Sequence, residues 1–263
     1  MSPALRNFSR WTERETSPDR IVRFRIAFAL VWLAYDVADV ALGGTALSLL
    51  GPMALEGTRP RGFVALQAGL ILSELGLLSG VRSRAFAASA CVLRSVFAWR
   101  FCGENDFLYF IVTSFLLAAA NADGAPFGKR APSIKRWPED ALLYQVAWTY
   151  FATALLKLNP AWLSGDTLFV RTRYLEATGF PLAAWLERLT SHPTARALAT
   201  LGVAAEVVLA VLVLLRRRRR EALVLSVSLH LFAALATDVW FFGASMVCQV
   251  WALLPSRRER ETS

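Results

Sequence analysis

Residues 195–238 read ARALATLGVAAEVVLAVLVLLRRRRREALVLSVSLHLFAALATD, two apolar stretches joined by the arginine run Arg216–Arg220. A helix needs about 20 apolar residues to cross the hydrocarbon core of a bilayer, and each stretch is close to that length. An arginine run is too costly to carry through hydrocarbon, so the chain turns back at these residues. Such a run also looks like a nucleic-acid or anionic-lipid patch. Between two apolar stretches it serves best as a topology anchor, with some lipid head-group contact.

The same texture extends outward in both directions. The chain has 263 residues, 56% of them hydrophobic, with a mean hydropathy of +0.43; this exceeds the apolar share of an ordinary soluble domain. Charged residues make up 19% and cluster between the apolar runs, which excludes a disordered or fibrous chain. The net charge of +9 would suggest nucleic acid if the chain were soluble. Here the arginines mark helix ends, and no nucleic-acid partner is expected.

The pattern predicts an all-α fold, a polytopic transmembrane helical bundle of about eight spans with the lipid bilayer as its first partner. Residues 1–20 are expected to form an N-terminal cytoplasmic arm, 21–255 the transmembrane domain and 256–263 a cytoplasmic tail. The spans fall at roughly 21–43, 62–81, 85–101, 107–122, 140–158, 195–215, 221–238 and 240–255. The fifth stops before Pro160, because proline cannot continue a helix without losing a backbone hydrogen bond. Residues 161–194 are less apolar and are expected to form an outer interfacial or re-entrant segment.

Orientation follows from the basic residues. Arg6, Arg10, Arg14, Arg20, Arg82, Arg84, Lys129, Arg130, Lys135, Arg136, the Arg216–Arg220 run, Arg257, Arg258 and Arg260 fall on one side of this topology. The other side receives Arg59, Arg61, Arg171, Arg173 and Arg188, and at most Arg100 and Arg196 besides. The excess predicts a multi-pass protein of the cell membrane with both termini cytoplasmic. The polar start and the long first apolar stretch argue against a removable signal peptide. Cys91, Cys102 and Cys248 form neither a CxxC pair nor a zinc spacing, so no metal is expected.

Charges inside hydrocarbon cost about 2.5–3.5 kcal/mol each on insertion scales, so each calls for a partner or a task. Arg23 and Arg25 lie near the inner end of the first span, where they can snorkel. Asp36 and Asp39 share one face near its outer end, where partial burial is expected. Arg94, in the middle of the third span, is placed to neutralise Glu74 of the second. These groups form either a structural ion-pair network or a polar cavity for a ligand head group.

Lys157 closes the fifth span at the outer boundary, ahead of Leu158-Asn159-Pro160-Ala161-Trp162. A dry setting there disfavours the ammonium, and a neutral amine can act as a general base. The other reading is a snorkelling lysine that caps the last carbonyls of its helix. Glu206 in the sixth span and His230 in the seventh are the remaining titratable groups at membrane depth. A helical His is more often an interhelical hydrogen-bond partner than a catalyst, yet with Lys157 these two make a plausible polar centre. His192, before Pro193, reads as a loop residue.

Tyr144-Gln145, Tyr150-Phe151, Lys157-Leu158, Trp162 and Gly165 compose the pattern Y-Q-x(4)-Y-F-x(5)-K-L-x(3)-W-x(2)-G. This stretch resembles the signature region of the HTTM family, the membrane domain shared by vitamin K-dependent gamma-glutamyl carboxylases and many bacterial proteins. Arg25-Ile26 with Asp36, the Glu104-Asn105-Asp106 loop, Glu206, and His230 with the segment to Leu253 are similar in order and spacing, so the resemblance covers roughly residues 20–255. It implies Lys157 as the base that deprotonates a reduced vitamin K-type quinone, His230 as its catalytic helper, and Trp162 and Glu206 as cofactor-binding residues. The quinol would then react with O2 in carboxylase- or oxygenase-like chemistry. The large lumenal β-rich region that follows the membrane domain in the carboxylases is outside the resemblance, so quinol chemistry is expected ahead of glutamate carboxylation. Bacterial relatives include a protein of the sporulation-delaying toxin system that acts in toxin maturation. The alternative is therefore a non-catalytic membrane maturation or partner factor for a secreted peptide or protein, dependent on segment 161–194. A transporter is a third possibility, against which the lack of an internal repeat counts.

Overall fold

The structure is a computed structural model that describes residues 13–41, 61–101, 105–120, 133–177, 192–216, 218–237 and 240–255. The expectations for Arg6, Arg10, Lys129, Arg130, Arg188, the Cys102–Glu104 loop and the 256–263 tail lie outside these residues. The chain forms two compact units, Met1–Leu142 and Leu143–Ser263. Both are helical, as the sequence predicts.

The first unit contains α1 (Asp19–Ala41), α2 (Arg61–Ser79), α3 (Ser83–Phe101), α4 (Asn105–Ala120) and the first turns of α5 (Trp137–Leu156). α1 packs on α2 and α4, α2 on α3, and α3 on α4. α1 starts where Ser17 accepts a hydrogen bond from the Asp19 amide at 3.3 Å, and Asp19 supplies the negative charge that a helix N-terminus favours. Its buried stripe, Ile21, Phe24, Arg25, Phe28, Trp32, Tyr35, Asp36 and Asp39, follows the helical repeat. The rings along the stripe meet Phe110 of α4, at 5.1 Å from Phe28 and 4.7 Å from Trp32, in tilted and edge-on geometries. Gly76 lets α2 approach α3, since a Cβ there would collide with the Phe86 ring. A feature unmarked in the sequence is a two-stranded antiparallel pair, β1 (Glu15–Thr16) with β2 (Ile134–Lys135), in the register Glu15↔Lys135 and Thr16↔Ile134. The Arg20–Glu139 ion pair ties the same two segments together.

The interior of this unit departs from two expectations. Asp36 and Asp39 are 1% and 0% exposed, and Arg25 is fully buried instead of snorkelling. Neighbouring helices cover the ends of α1 as fully as its middle, so distance along the helix did not measure depth. Arg94 donates to Asp36 at 2.5 Å and also approaches Glu74 at 3.4 Å, so the Arg94–Glu74 pairing holds with Asp36 as an added, closer partner. Phe110, Trp32, Phe107 and Phe97 surround its guanidinium, with ring centroids 4.5–5.6 Å away. Gln67 donates to Asp39 in the same interior.

The second unit holds the rest of α5 with α6 (Pro160–Leu163), α7 (Asp166–Ala177), α8 (His192–Leu215), α9 (Arg219–Thr237) and α10 (Trp240–Leu253). α6 and α7 pack against α8, α7 also against α9, and α9 against α10. His192 opens α8 instead of lying in a loop. Of segment 161–194, residues 161–177 form the short helix pair α6–α7, seated on α8, and 192–194 begin α8 itself. Gly165, at φ +85°, sets the turn between α6 and α7, and a Cβ there would strike the Arg196 backbone.

Among the described residues, two helices are long and apolar enough to cross a membrane, Gly62–Ser79 and Pro193–Leu215. Phe107–Ala120 and Phe242–Leu253 are apolar but shorter. α1, α3 and α9 carry charges that lower their hydropathy, among them Arg25, Asp36, Arg94 and Glu221.

Candidate active site

The second unit encloses a cavity of about 310 Å³, at the lower end of the range for small-molecule sites. α5 contributes Thr149, Tyr150 and Thr153, successive turns of one helical face, with Lys157 one turn further on. α8 contributes Leu198, Gly202 and Glu206 at four-residue spacing. Leu229, His230, Phe232 and Ala233 of α9 and Phe242 and Met246 of α10 line the rest of the wall, with Trp162 and Leu168 from α6 and α7.

The turn after α5 fixes the mouth. Asn159 has an extended backbone, φ −129° and ψ 157°, and its side-chain oxygen accepts from the Trp162 amide at 3.0 Å, capping α6. Its amide nitrogen donates back to the Leu156 carbonyl at 2.8 Å, so one side chain closes α5 and opens α6. Pro160 sits at the first helical position, where its missing N–H costs nothing. The Trp162 indole donates to the Ala199 carbonyl at 3.3 Å, which presents its ring to Lys157.

Two polar poles interrupt the apolar wall. At the first, the Lys157 ammonium donates to Glu206 at 2.5 Å and lies 4.9 Å from the Trp162 ring centroid. The Lys157 side chain is 28% exposed and that of Glu206 only 7%. The second carboxylate oxygen of Glu206, Oε2, is buried, and the Thr153 hydroxyl stands beside the same carboxylate. At the second pole the Tyr150 hydroxyl bridges Ser226 at 2.9 Å and His230 Nε2 at 3.0 Å. Gly243 makes room for this imidazole, since a Cβ there would lie 3.1–3.3 Å from its atoms.

All four residues singled out in the sequence, Lys157, Trp162, Glu206 and His230, therefore line one cavity. Of the two readings of Lys157, a desolvated base and a lysine capping its own helix, the structure shows a partly buried side chain paired with Glu206. A carboxylate and a ring face both touch it, so it meets a ligand as one half of the pair with Glu206. Tyr150 and Ser226 were not selected as site residues. Tyr150 precedes Lys157 by two helical turns within the quoted pattern, the signal that could have found it; Ser226 carries no such signal. Among the described residues, no group of three or more His, Cys, Asp or Glu could hold a metal ion. No family model, curated protein or solved structure matches the chain.

Proposed function

We propose that the chain is a multi-pass membrane protein of the HTTM type whose C-terminal half binds a lipid-borne, hydroxyl-bearing ring, a reduced vitamin K-type quinone, and deprotonates it at the Lys157–Glu206 pair. What supports a membrane setting is the inverted distribution of side chains. Charges such as Arg25, Asp39, Glu74 and Arg94 are buried, while large apolar residues such as Leu72, Trp99, Leu108, Leu201 and Val224 face outward. About eight spans, cytoplasmic termini and a cell-membrane location complete this reading.

The observation that carries the chemistry is the Glu206 carboxylate, an acceptor buried in an apolar cavity and held by Lys157 with the Thr153 hydroxyl beside it. A quinol hydroxyl donates to it. Its O–H bond breaks, the proton passes to the pair, and the electrons stay on the quinolate oxygen. Lys157 lowers the energy of the negative charge that develops there. The Tyr150–His230 pole supplies a second polar contact. Reaction of the quinolate with O2 then places one oxygen atom in a quinone epoxide and the other in water.

The test supplies purified protein in nanodiscs with reduced 2-methyl-naphthoquinol and O2. Epoxide is expected from the wild type and none from Lys157→Ala, with both proteins retained in the membrane. An absence of epoxide from the wild type overturns the reaction. A secreted peptide that co-purifies equally with both proteins, and is lost on altering 161–177, would replace it with the maturation-factor reading.

A further inference from the structure

A groove of about 710 Å³ runs along α8 and α9 at the end where the arginine run lies. It shares no lining residue with the cavity that holds Lys157 and Glu206. Most of its length is apolar: Val208 and Leu212 stand one turn apart on α8, with Val224 and Leu225 on the α9 side. On α9 the lining extends from Glu221 to Ser228, two helical turns, or roughly 10 Å at 1.5 Å per residue. Val208 and Val224 are 48% and 61% exposed, so the trough opens to the surroundings of the helices.

Three charged side chains line the other end, Arg218, Arg220 and Glu221. All three are exposed, and among the described residues none of these side chains makes an ion pair or hydrogen bond. Arg219, between the two arginines, donates to the Trp251 carbonyl at 2.6 Å. The run therefore divides, one guanidinium fastening α9 to α10 and its two neighbours left at the groove. Arg218 adopts φ +54°, a left-handed conformation that glycine reaches freely and an arginine does not. Arginine is an unfavourable choice of backbone there, and what it contributes is its guanidinium.

We propose that this groove binds one phospholipid whose head carries a primary ammonium. Arg218 and Arg220 take the phosphodiester, Glu221 takes the ammonium, and one acyl chain lies along Val208, Leu212, Val224 and Leu225. The occupant follows from charge complementarity. Two guanidiniums match the paired oxygens of a phosphodiester. The carboxylate beside them repels a purely anionic head but accepts N–H bonds from an ammonium. A choline head brings the positive charge without an N–H, and a glycerol head brings neither. A topology anchor needs only the charge of the run, whereas this site needs Arg218, Arg220 and Glu221 in place. The proposal rests on the membrane reading above and is independent of the quinol reaction.

The test is native mass spectrometry of the full chain, purified in detergent and equilibrated with equimolar ethanolamine, choline and glycerol phospholipids of one acyl composition. The wild type is expected to retain one ethanolamine lipid, about fivefold more often than either competitor, as one exposed ion pair allows. Glu221→Gln removes that preference, and Arg218→Gln with Arg220→Gln removes retention of all three lipids. Arg82→Gln with Arg84→Gln, which removes the same charge elsewhere, behaves as the wild type. Val224→Trp fills the trough at an exposed position and weakens retention of every head group alike. Equal retention of the three heads by the wild type, a preference that survives Glu221→Gln, or unchanged retention in Val224→Trp overturns the site. So does a loss in the Arg82 and Arg84 variant equal to that in the Arg218 and Arg220 variant. A dimer that needs no lipid and disappears in Val224→Trp overturns it in favour of a second copy of the chain. A chain that stays in solution without detergent overturns the membrane setting itself, whereas missing epoxide with lipid selection intact overturns only the quinol chemistry.

Discussion

The two members of the Lys157–Glu206 pair are unequal in their surroundings. Glu206 is nearly closed off and Lys157 keeps about a quarter of its side chain exposed. Truncating the lysine strands a carboxylate among apolar walls, whereas truncating the glutamate leaves an amine that can turn outward. Lys157→Met is therefore expected to lower stability by about 3 kcal/mol and Glu206→Leu by clearly less. The double variant recovers most of the loss, because two apolar side chains leave no unpaired charge. Apparent melting temperatures of the four proteins check the order, and equal losses in the two single variants would contradict it. Lys157, Glu206 and His230 were legible in the sequence because an ionisable group in an apolar stretch stands out against its neighbours. Trp162 entered with the pattern that follows Lys157. Tyr150 and Ser226 escaped selection as site residues because neither carries a charge at membrane depth, and their role exists only where α5 meets α9.

At the scale of helices, the sequence located the apolar stretches well and their depth poorly. α5 ends at Leu156 and α8 begins at His192, within a few residues of the expected boundaries, because Pro160 and Pro193 mark those positions. The depth of Asp36, Asp39 and Arg25 depended on α2, α3 and α4 covering α1, which no single stretch encodes. Arg94 illustrates the consequence. It sits in a box of four rings and faces two carboxylates, all of them buried. Arg94→Leu would leave Asp36 and Glu74 without their counter-charge and is expected to cost about 3–5 kcal/mol. Arg94→Lys recovers part of this, since an ammonium keeps the charge but lacks the planar fork and the ring stacking. Thermal unfolding in detergent measures both. An Arg94→Leu protein as stable as the wild type would show that this cluster does not hold α1, α2 and α3 together.

Across the described residues, charged side chains such as Arg25, Asp36, Glu74, Arg94 and Glu206 are buried between helices, while large apolar ones such as Leu72, Trp99 and Leu201 are exposed. In the membrane setting proposed above, a cavity with two polar poles takes a lipid-soluble ligand directly from the bilayer. The chain's basic residues gather on one side of the expected topology, and of the Arg216–Arg220 run Arg216 and Arg218 adopt positive φ. The central claim is that the Lys157–Glu206 pair takes a proton from a bound hydroxyl. The most direct measurement is the anaerobic absorption spectrum of 2-methyl-naphthoquinol bound to the protein at neutral pH. The account predicts a quinolate spectrum with the wild type and a neutral quinol spectrum with Glu206→Gln and Lys157→Met; a neutral quinol spectrum on fully bound wild-type protein would contradict it.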